Sequence, residues 1–563
     1  MKKIVKYFIV AALMFSLASC DDFLDTENLM EKNTGSFPVS EIDAEQMIAG
    51  VYNNLQAGVS DFAVKGSFFM VSELASDDRL GGGGSNDREL QAMDLIMQSS
   101  VDQYSYFWSL RYTGINRANT AIENIDKCGM PEAKKQKMLG EAYFLRAFYY
   151  YELASMFENV PLHLTTKPEP LPQAPPDETW GQIIADLKTA IELMPDQKTP
   201  DAEAGHVDKY VAEAMMARAF LFYTGFYGKT EVALPDGSTV TKQMVIGWID
   251  DCVTNSGYSL VTSDYRNLWP YTNKYTVESY NYTKGQGLKW VEDDNAVNPE
   301  TMLAIKFNKN AGYACNRYFV FCGLRNTQGN AAAFPFGNGW GAGPVATNLW
   351  NDWDDTDIRK RASICDIAAE IPGVDAANRD GWIQDTRYFY KKGSIVGTTD
   401  GGVTLSDPFD QLMYGFIPTQ WDYALVHDQI LIRFADVLLM QSELKEDPEG
   451  MNRVRARAGL SNIPYSLENI QRERRFELAF EGVRWNDMRR WGATYAKAAL
   501  GRQDKLPVYN KGVADVNREG TAYQQRYDAT RGFFAIPNDQ IILSDGLYKQ
   551  NAGWDNSALY AGW

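Results

Sequence analysis

The sequence has few of the residues from which common catalytic sites are built. Its three histidines, His163, His206 and His427, are widely separated and form no HExxH motif, which argues against a zinc hydrolase of that type. No GxSxG nucleophile elbow occurs. Residues 225–230 are similar to the end of a phosphate-binding loop, but Tyr223 stands where that loop needs its first glycine. These absences argue against the corresponding enzyme classes.

Positive charge is also scarce. The chain has 55 Lys and Arg residues against 73 Asp and Glu residues, and its net charge at pH 7 is −18. Nucleic-acid phosphates require a basic surface, so this balance argues against a nucleic-acid partner. It argues equally against direct adsorption of the protein body to anionic lipid.

Long hydrophobic runs are missing except at the N-terminus. Residues 1–19 begin with Lys2, Lys3 and Lys6 and continue with an uncharged, apolar run over residues 7–17, the pattern of a secretory signal peptide. That run is too short to cross a membrane as a helix.

The signal ends in Leu17, Ala18, Ser19 and Cys20, which resemble the bacterial lipobox. The resemblance implies that Cys20 is lipidated and becomes the new N-terminus, with an ordinary cleaved signal and an incidental cysteine as the alternative. Residues 20–35 are mostly polar and predict a flexible tether. Loss of the signal and its lysines takes the net charge from −18 to −21.

Cysteine carries little further information. Of the six cysteines, those after Cys20 are Cys128, Cys252, Cys315, Cys322 and Cys365, and they show neither CxxC nor zinc-site spacing. An exported protein permits a disulfide between Cys315 and Cys322, and buried free thiols are the alternative.

Two segments share the pattern EAxxxRAF, at residues 141–148 and 213–220, and a weaker copy lies at 434–444. The first two are rich in Ala and aromatic residues, with apolar positions at helical spacing, as in tetratricopeptide-type helix pairs. Arg146 and Arg218 occupy matching positions inside these apolar segments. We interpret them as structural ion pairs with a neighbouring helix, and ligand contacts are the alternative.

The mature chain divides into three regions that differ in composition and in helical periodicity. Residues 36–229 form an N-terminal helical region, residues 230–425 a loop-rich and aromatic-rich insertion, and residues 426–563 a second helical region. The predicted fold class is mainly α, a tetratricopeptide-like helical repeat scaffold with a large loop-rich insertion that contains a few short strands.

Several elements are predicted at specific places. Short strands are expected near residues 302–307 and 318–321. Helices are expected at 179–193, from about residue 430, and at 467–481, where Gly482 would end the last one.

Several segments resemble the SusD/RagB family of bacterial surface lipoproteins and occur in the family's order over nearly the whole mature chain. They are residues 157–162 (FENVPL), 433–440 (RFADVLLM), 451–460 (MNRVRARAGL), 473–491 (ERRFELAFEGVRWNDMRRW), 534–537 (FAIP) and 550–554 (QNAGW). Val483 and Asn486 depart from residues common in the family, without consequence for the fold.

The resemblance implies a function as well as a fold. Members usually bind oligosaccharide without cutting it and cap a SusC-like TonB-dependent transporter of the outer membrane. Cys20 is followed by Asp21 and Asp22, which resembles the acidic start of surface-exported lipoproteins. We therefore expect a lipid-anchored protein of the outer membrane that faces the exterior, with the lipid as its only membrane contact.

The segment ERRFELAFEG concentrates carboxylates, as catalytic sites do. Glu473, Glu477 and Glu481 repeat every four residues, with Arg474 and Arg475 between them. A buried ion-pair network that locks helices together is the preferred interpretation, so these residues are excluded from the predicted site.

The insertion supplies candidate sugar contacts. Sugar rings stack on aromatic side chains, and their hydroxyl groups need polar partners at the rim. The predicted aromatic contacts are Trp269, Tyr271, Tyr275, Trp290, Trp340 and Trp353.

A second candidate is the loop around the glycines at 81–84, whose backbone can adopt conformations closed to other residues. The resemblance supports it, because the segment after the first helices contributes to the glycan site in similar proteins. The predicted ligand-binding residues here are Asp77, Asp78, Asn86 and Asp87. They could surround sugar hydroxyls or a structural Ca²⁺, although EF-hand spacing is absent; a flexible surface loop is the alternative.

The leading hypothesis is a non-catalytic glycan-binding lipoprotein that requires no cofactor and delivers its ligand to a transporter. A peptide-binding lipoprotein on the same scaffold and a lipid-anchored glycosidase are the rivals. The glycosidase stays open because many pairs of carboxylates occur by chance in so acidic a chain. The sequence does not identify the glycan.

Overall fold

The structure is a computed structural model. It describes residues 37–562 except positions 101, 201–202, 308–314, 328–329, 377–378, 380, 395, 401–402, 406–411, 414, 416–424, 518–521, 555–558 and 561. The predicted signal peptide at 1–19, Cys20 and the predicted tether at 20–35 lie outside the described residues.

Helices make up most of the regular structure in the described part of the chain. They are α1 (Glu41–Ala57), α2 (Phe68–Leu74), α3 (Arg88–Asp94), α4 (Ser105–Asn124), α5 (Glu132–Phe157), α6 (Pro176–Leu193), α7 (Lys209–Tyr227), α8 (Lys242–Asn255), α9 (Arg317–Cys322), α10 (Thr347–Asp352), α11 (Ile358–Ser363), α12 (Ile367–Glu370), α13 (Pro372–Ala376), α14 (Phe434–Lys445), α15 (Glu449–Arg457), α16 (Leu467–Glu477), α17 (Arg484–Arg490), α18 (Ala493–Gly501), α19 (Ala522–Thr530) and α20 (Asn538–Leu543).

The strands are short and form two-stranded sheets. They are β1 (Val160–Pro161), β2 (Gln173–Ala174), β3 (Glu231–Ala233), β4 (Thr239–Thr241), β5 (Thr301–Ile305), β6 (Leu324–Arg325), β7 (Asn338–Gly339), β8 (Ile364–Asp366), β9 (Tyr388–Tyr390), β10 (Thr398–Asp400), β11 (Val403–Leu405), β12 (Gln429–Arg433), β13 (Pro507–Asn510) and β14 (Val513–Val516). The pair β6 and β7 is parallel and joins Arg325 to Gly339. Helices with a few short strands confirm the predicted fold class.

Local sequence signals set the ends of the scaffold helices. Ser40 and Asp43 form a capping box at the start of α1. The Asp208 side chain accepts a hydrogen bond from the backbone N–H of Val211 at the start of α7, and Gly228 ends that helix in the left-handed region with φ of 65°. Consecutive helices from α4 to α8 pack against each other, and α14 packs against α8, α15 and α16. This stacking of successive helices is the tetratricopeptide-like arrangement.

The two repeat arginines hold neighbouring helices together. Arg146 on α5 binds both carboxylate oxygens of Asp186 on α6, at 2.7 and 2.8 Å. Arg218 on α7 binds Asp436 on α14 at 2.6 Å. The prediction that Arg146 and Arg218 form structural ion pairs is confirmed.

Some predicted elements differ from the structure. The strand predicted at 318–321 is part of helix α9, and the helix expected from about residue 430 is preceded by β12, which pairs with β5. Helix α16 ends at Glu477, four residues before the predicted end, and Phe480 and Gly482 have φ of 68° and 73°. Over so short a run, an apolar pattern is compatible with either a strand or a helix. Contacts with residues far along the chain, such as the pairing of β12 with β5, determine which one forms.

Two hydrophobic cores bury the aromatic residues. The larger core lies among the scaffold helices, and a second one lies within the predicted insertion, around Trp269, Tyr271, Trp290 and Phe389. Among the described residues, no helix has the length and apolar character needed to cross a membrane. Cys322 is a buried free thiol, so no Cys315–Cys322 disulfide forms in this structure.

Candidate functional site

Most of the predicted aromatic contacts are core residues. Trp269, Tyr271 and Trp290 are at most 5% exposed and belong to the second core. The Tyr271 hydroxyl donates to the carbonyl oxygen of Ala362 at 2.9 Å. Trp353 stacks on Phe476 with ring centroids 4.7 Å apart. These contacts hold Tyr271 and Trp353 in the interior, which argues against an exposed ligand surface there. Trp269 and Trp290 are buried as well, but both line a cavity, so their role as ligand contacts stays a prediction.

Asp77 and Asp78 are also buried, at 1% and 2% exposure. Arg484 binds both oxygens of Asp77 at 2.7 and 3.0 Å, and Arg475 binds Asp78 at 2.7 Å. Burial opposes the charged form of Asp77, but the Arg475 and Arg484 guanidinium groups outweigh it and lower the pKa of this carboxyl. Burial raises the pKa of Asp78, with Arg475 acting in the opposite direction. These carboxylates join the glycine loop to α16 and α17 and do not surround a ligand.

The glycine loop that follows them is held rigidly. Gly82 and Gly83 have φ of 65° and 75°, a backbone conformation that residues with a Cβ rarely adopt. The Gly83 N–H donates to the carbonyl of Gly341 at 2.8 Å, and the Gly82 N–H donates to the side chain of Gln384 at 3.0 Å. The Gln91 amide donates to the carbonyl oxygens of Gly82 and Gly84. These bonds form a fixed platform and not the flexible surface loop considered as the alternative.

The far end of this loop lies beside residues from the insertion and forms a partly exposed surface. We call it the glycine-loop surface and define it by Lys65, Asn86, Asp87, Arg325, Asn326 and Trp340. Asn86 and Asn326 are exposed, and the others are half-buried. Three of the predicted site residues, Asn86, Asp87 and Trp340, therefore belong to one surface.

Charges on the glycine-loop surface are paired loosely. The Asp87 carboxylate accepts a hydrogen bond from the Gly84 N–H at 2.8 Å and lies 3.5 Å from the Arg325 guanidinium. Lys65 lies 3.8 Å from both Asp87 and Glu89. Arg325 also donates to the backbone carbonyl of Trp340 at 3.1 Å. These side chains keep donors and acceptors at the surface for a polar ligand.

Trp340 brings an aromatic ring to the same place. Its indole contacts the Phe321 ring edge-on, with centroids 4.5 Å apart, and the Arg317 guanidinium lies 5.0 Å from it. The ring is only partly buried. Tyr275, the remaining aromatic prediction, is half-buried in the 269–290 segment with the Lys274 ammonium 5.1 Å from its ring.

The carboxylates of ERRFELAFEG are structural, as predicted. Glu477 is fully buried and binds Arg359 at 2.9 Å, Arg433 at 2.5 Å and also Arg457. Burial opposes ionisation of Glu477, but Arg457, Arg433 and Arg359 together lower its pKa well below the usual range. This set, which we call the Glu477 network, ties α11, β12 and α15 to α16.

The described residues contain no group of three or more His, Cys, Asp or Glu side chains placed to hold a metal ion. Asp77 and Asp78 bind arginines, while Asp87 binds a backbone N–H and lies near Lys65. The oxygens proposed for Ca²⁺ therefore do not converge, and a bound Ca²⁺ stays an untested prediction.

Sequence reasoning missed Lys65, Arg325 and Asn326. Arg325 is the last residue of β6 and Asn326 follows it, directly after the apolar segment that forms α9 and about 240 residues after the glycine loop. A cation directly after an apolar run is a weak signal that a polar site lies nearby. Nothing in the sequence places it against Asp87.

Comparisons with known proteins agree with this architecture. Residues 22–223 match a family model described as "Starch-binding associating with outer membrane", and residues 272–554 match the model of the SusD family. SusD-like protein P2 of Formosa agariphila is 24% identical over 98% of this chain and 100% of its own length.

Solved structures share the fold. A laminarin-binding SusD-like protein superposes with a TM-score of 0.68 at 24% identity, covering 92% of this chain and all of its own. Surface glycan-binding protein A of Bacteroides thetaiotaomicron, in complex with laminarihexaose, gives a TM-score of 0.69 at 18% identity over 91% of this chain and all of its own. The chain belongs to the SusD family.

Proposed function

We propose that this protein binds oligosaccharide on the glycine-loop surface, without cutting it. One observation carries the proposal: the Arg325 guanidinium donates to the backbone carbonyl of the half-buried Trp340 and lies 3.5 Å from the Asp87 carboxylate, so an aromatic residue and polar groups meet at one surface. A sugar ring would stack on the indole, and its hydroxyl groups would bond to the surrounding polar groups. The rigid glycine loop lowers the entropy cost of binding because its backbone is already ordered.

The names of structural relatives suggest the ligand class. One is a laminarin-binding protein, and another was solved with laminarihexaose. A family description refers to starch. Laminarihexaose and a starch-derived hexasaccharide are therefore the first ligands to test on this chain.

The lipid anchor and the transporter complete the proposal. Cys20 would hold the body at the outer face of the outer membrane, next to a SusC-like TonB-dependent transporter that receives the glycan. The lipobox-like sequence at 17–20 and the family description, which refers to association with the outer membrane, support this arrangement. A tethered binding protein raises the local concentration of ligand near its partner, so modest affinity suffices. Replacing Cys20 with Ala should leave glycan binding intact and abolish uptake.

Calorimetric titration against a panel of ligands tests the binding itself. The panel contains laminarihexaose, a starch-derived hexasaccharide, shorter oligomers of both and a mixture of peptides. We expect saturable binding to one oligosaccharide series, with affinity that rises with chain length, and none to peptides. Binding to peptides alone, or to no glycan, would overturn the carbohydrate proposal. New reducing ends after incubation with the bound glycan would instead indicate a glycosidase.

A further inference from the structure

A cleft opens on the helical scaffold, and none of its lining residues belongs to the insertion. It has a volume of about 920 Å³ and lies between α4, the loop at 161–169 and the segment at 540–548. We call it the α4 cleft. It shares no residue with the glycine-loop surface.

Helix α4 presents a mixed stripe to this cleft. Ser109, Tyr112 and Asn116 are spaced by three and four residues and therefore lie on one helix face. Ser109 and Asn116 are exposed, and Tyr112 is half-buried. Within the described residues, no hydrogen bond occupies the side chains of Ser109, Asn116 or Gln540, the last of which lies across the cleft. These groups are available to an incoming ligand.

Aromatic rings form the floor and one wall. The Tyr112 hydroxyl donates to the carbonyl of Pro161 at 2.8 Å, which fixes its ring, and His163 contacts that ring edge-on at 5.9 Å. Tyr548 is half-buried and lies 6.3 Å from the Trp108 ring. Ordered rings with amide and hydroxyl groups at the rim are the combination that a sugar requires.

The charge of the cleft favours a neutral ligand. Its only charged lining residues in the described chain are Lys167 and Glu169, which pair with each other at 2.6 Å. The Glu123 carboxylate nearby accepts from both the backbone N–H and the hydroxyl of Thr166. Burial lowers the pKa of His163, so its imidazole is neutral at pH 7. The charged groups at the cleft are therefore already paired or hydrogen-bonded within the protein, which favours a neutral ligand.

We propose that the α4 cleft is a second binding site for neutral oligosaccharide. The inference rests on the carbohydrate class given under Proposed function, but it uses different residues. A polysaccharide long enough to reach both sites would bind more tightly than a hexasaccharide, because the second contact forms at high effective concentration.

Hydrogen exchange with and without glycan locates each site separately. The probes are laminarihexaose, laminarin and starch, added to the purified full-length mature chain. We expect slower exchange in the loop at 161–169 and in the segment at 540–548, in addition to residues 81–90. The variant Asn116→Ala/Gln540→Ala should abolish the protection of the loop at 161–169 and the segment at 540–548, and it should keep the protection of residues 81–90. It should also weaken polysaccharide binding about tenfold or more, with hexasaccharide affinity at the glycine-loop surface unchanged.

Gln243→Ala changes an exposed amide on α8 and is the matched control. It should change neither the polysaccharide affinity nor the hexasaccharide affinity.

Protection confined to the glycine-loop surface with every probe would overturn the second site and leave the proposed function intact. Protection confined to the α4 cleft would support the second site and overturn the first. Protection at neither place would overturn both. The double variant could also lose co-purification with a transporter while the glycan still protects the cleft. That result would assign the cleft to a protein interface and would overturn the inference.

Discussion

The Glu477 network and the glycine-loop surface use the same side-chain types in different environments. Both combine carboxylates with arginines, but Glu477 is 0% exposed at its side chain, whereas Asp87 is 17% exposed. Glu477 binds Arg359 at 2.9 Å and Arg433 at 2.5 Å, while Asp87 lies 3.5 Å from Arg325 and 3.8 Å from Lys65. Tight, buried pairs hold elements together, and loose pairs at the surface leave hydrogen-bonding capacity for a ligand.

The same contrast occurs within one loop. Asp77 and Asp78 were predicted together with Asn86 and Asp87, yet the first two bind buried arginines and the last two reach the surface. Side-chain type alone does not separate these roles, because both pairs consist of short polar residues near the same glycines. Burial separates them, and burial depends on α16 and α17, which lie about 400 residues away.

The largest expected effect is on stability. Glu477→Ala should lower the free energy of unfolding by about 3–5 kcal/mol, because it leaves three buried guanidinium groups without their shared carboxylate. Urea denaturation measures the change. Glu468→Ala, at an exposed position on the same helix, should stay within about 0.5 kcal/mol of the wild type. Equal effects at the two positions would show that the network does not stabilise the fold.

A smaller effect is expected at the ligand surface. Trp340→Ala should weaken oligosaccharide binding about tenfold or more, equivalent to about 1.4 kcal/mol, because a stacking ring is lost. Trp340→Phe should recover part of that affinity. Trp248→Ala changes another half-buried tryptophan, on scaffold helix α8, and should leave binding unchanged. If both alanine variants bound equally well, Trp340 would not be a contact.

Glu213 extends the comparison to a buried acid. Its carboxylate lies 3.7 Å from the Lys209 ammonium and has no hydrogen-bond partner among the described residues. Burial, with Asp251 adding to it, raises the pKa of Glu213 to about 9. The folded chain therefore keeps a proton that the unfolded chain releases, and this contribution to stability falls as pH rises from about 4 to about 9. Glu213→Gln should remove that slope and raise the free energy of unfolding at pH 8 by about 1–2 kcal/mol.

Unfolding curves at several pH values measure this effect. Glu192→Gln, at a side chain that is 58% exposed, serves as the control and should keep the wild-type slope. An unchanged slope in Glu213→Gln would mean that the Lys209 ammonium, 3.7 Å away, keeps Glu213 charged in the folded chain.

The smallest effect concerns the glycine loop. A Cβ on Gly84 would clash with the Arg325 guanidinium, so Gly84→Ala should displace Arg325 and weaken glycan binding a few-fold, by about 1 kcal/mol. A Cβ on Gly247 of α8 would meet no atom of the described residues within 4 Å, so Gly247→Ala should not affect binding. Wild-type affinity in Gly84→Ala would remove Arg325 from the proposed contacts.

The sequence was informative where structure is local. The EAxxxRAF repeats predicted paired helices and the structural role of Arg146 and Arg218, because helical spacing and buried charge are visible within one segment. The candidate site was predicted only in part. Asn86, Asp87 and Trp340 lie on one surface, but Trp269, Tyr271, Trp290 and Trp353 fill cores. A tryptophan in a core and one on a binding surface look identical in sequence, since contacts far along the chain decide its exposure.

The most direct test is a crystal structure of the purified chain with the oligosaccharide that binds most tightly in the titrations. We predict a sugar ring against the Trp340 indole, with hydroxyl groups bonded to Arg325 and Asp87. A sugar bound elsewhere, with the glycine-loop surface empty, would contradict the account.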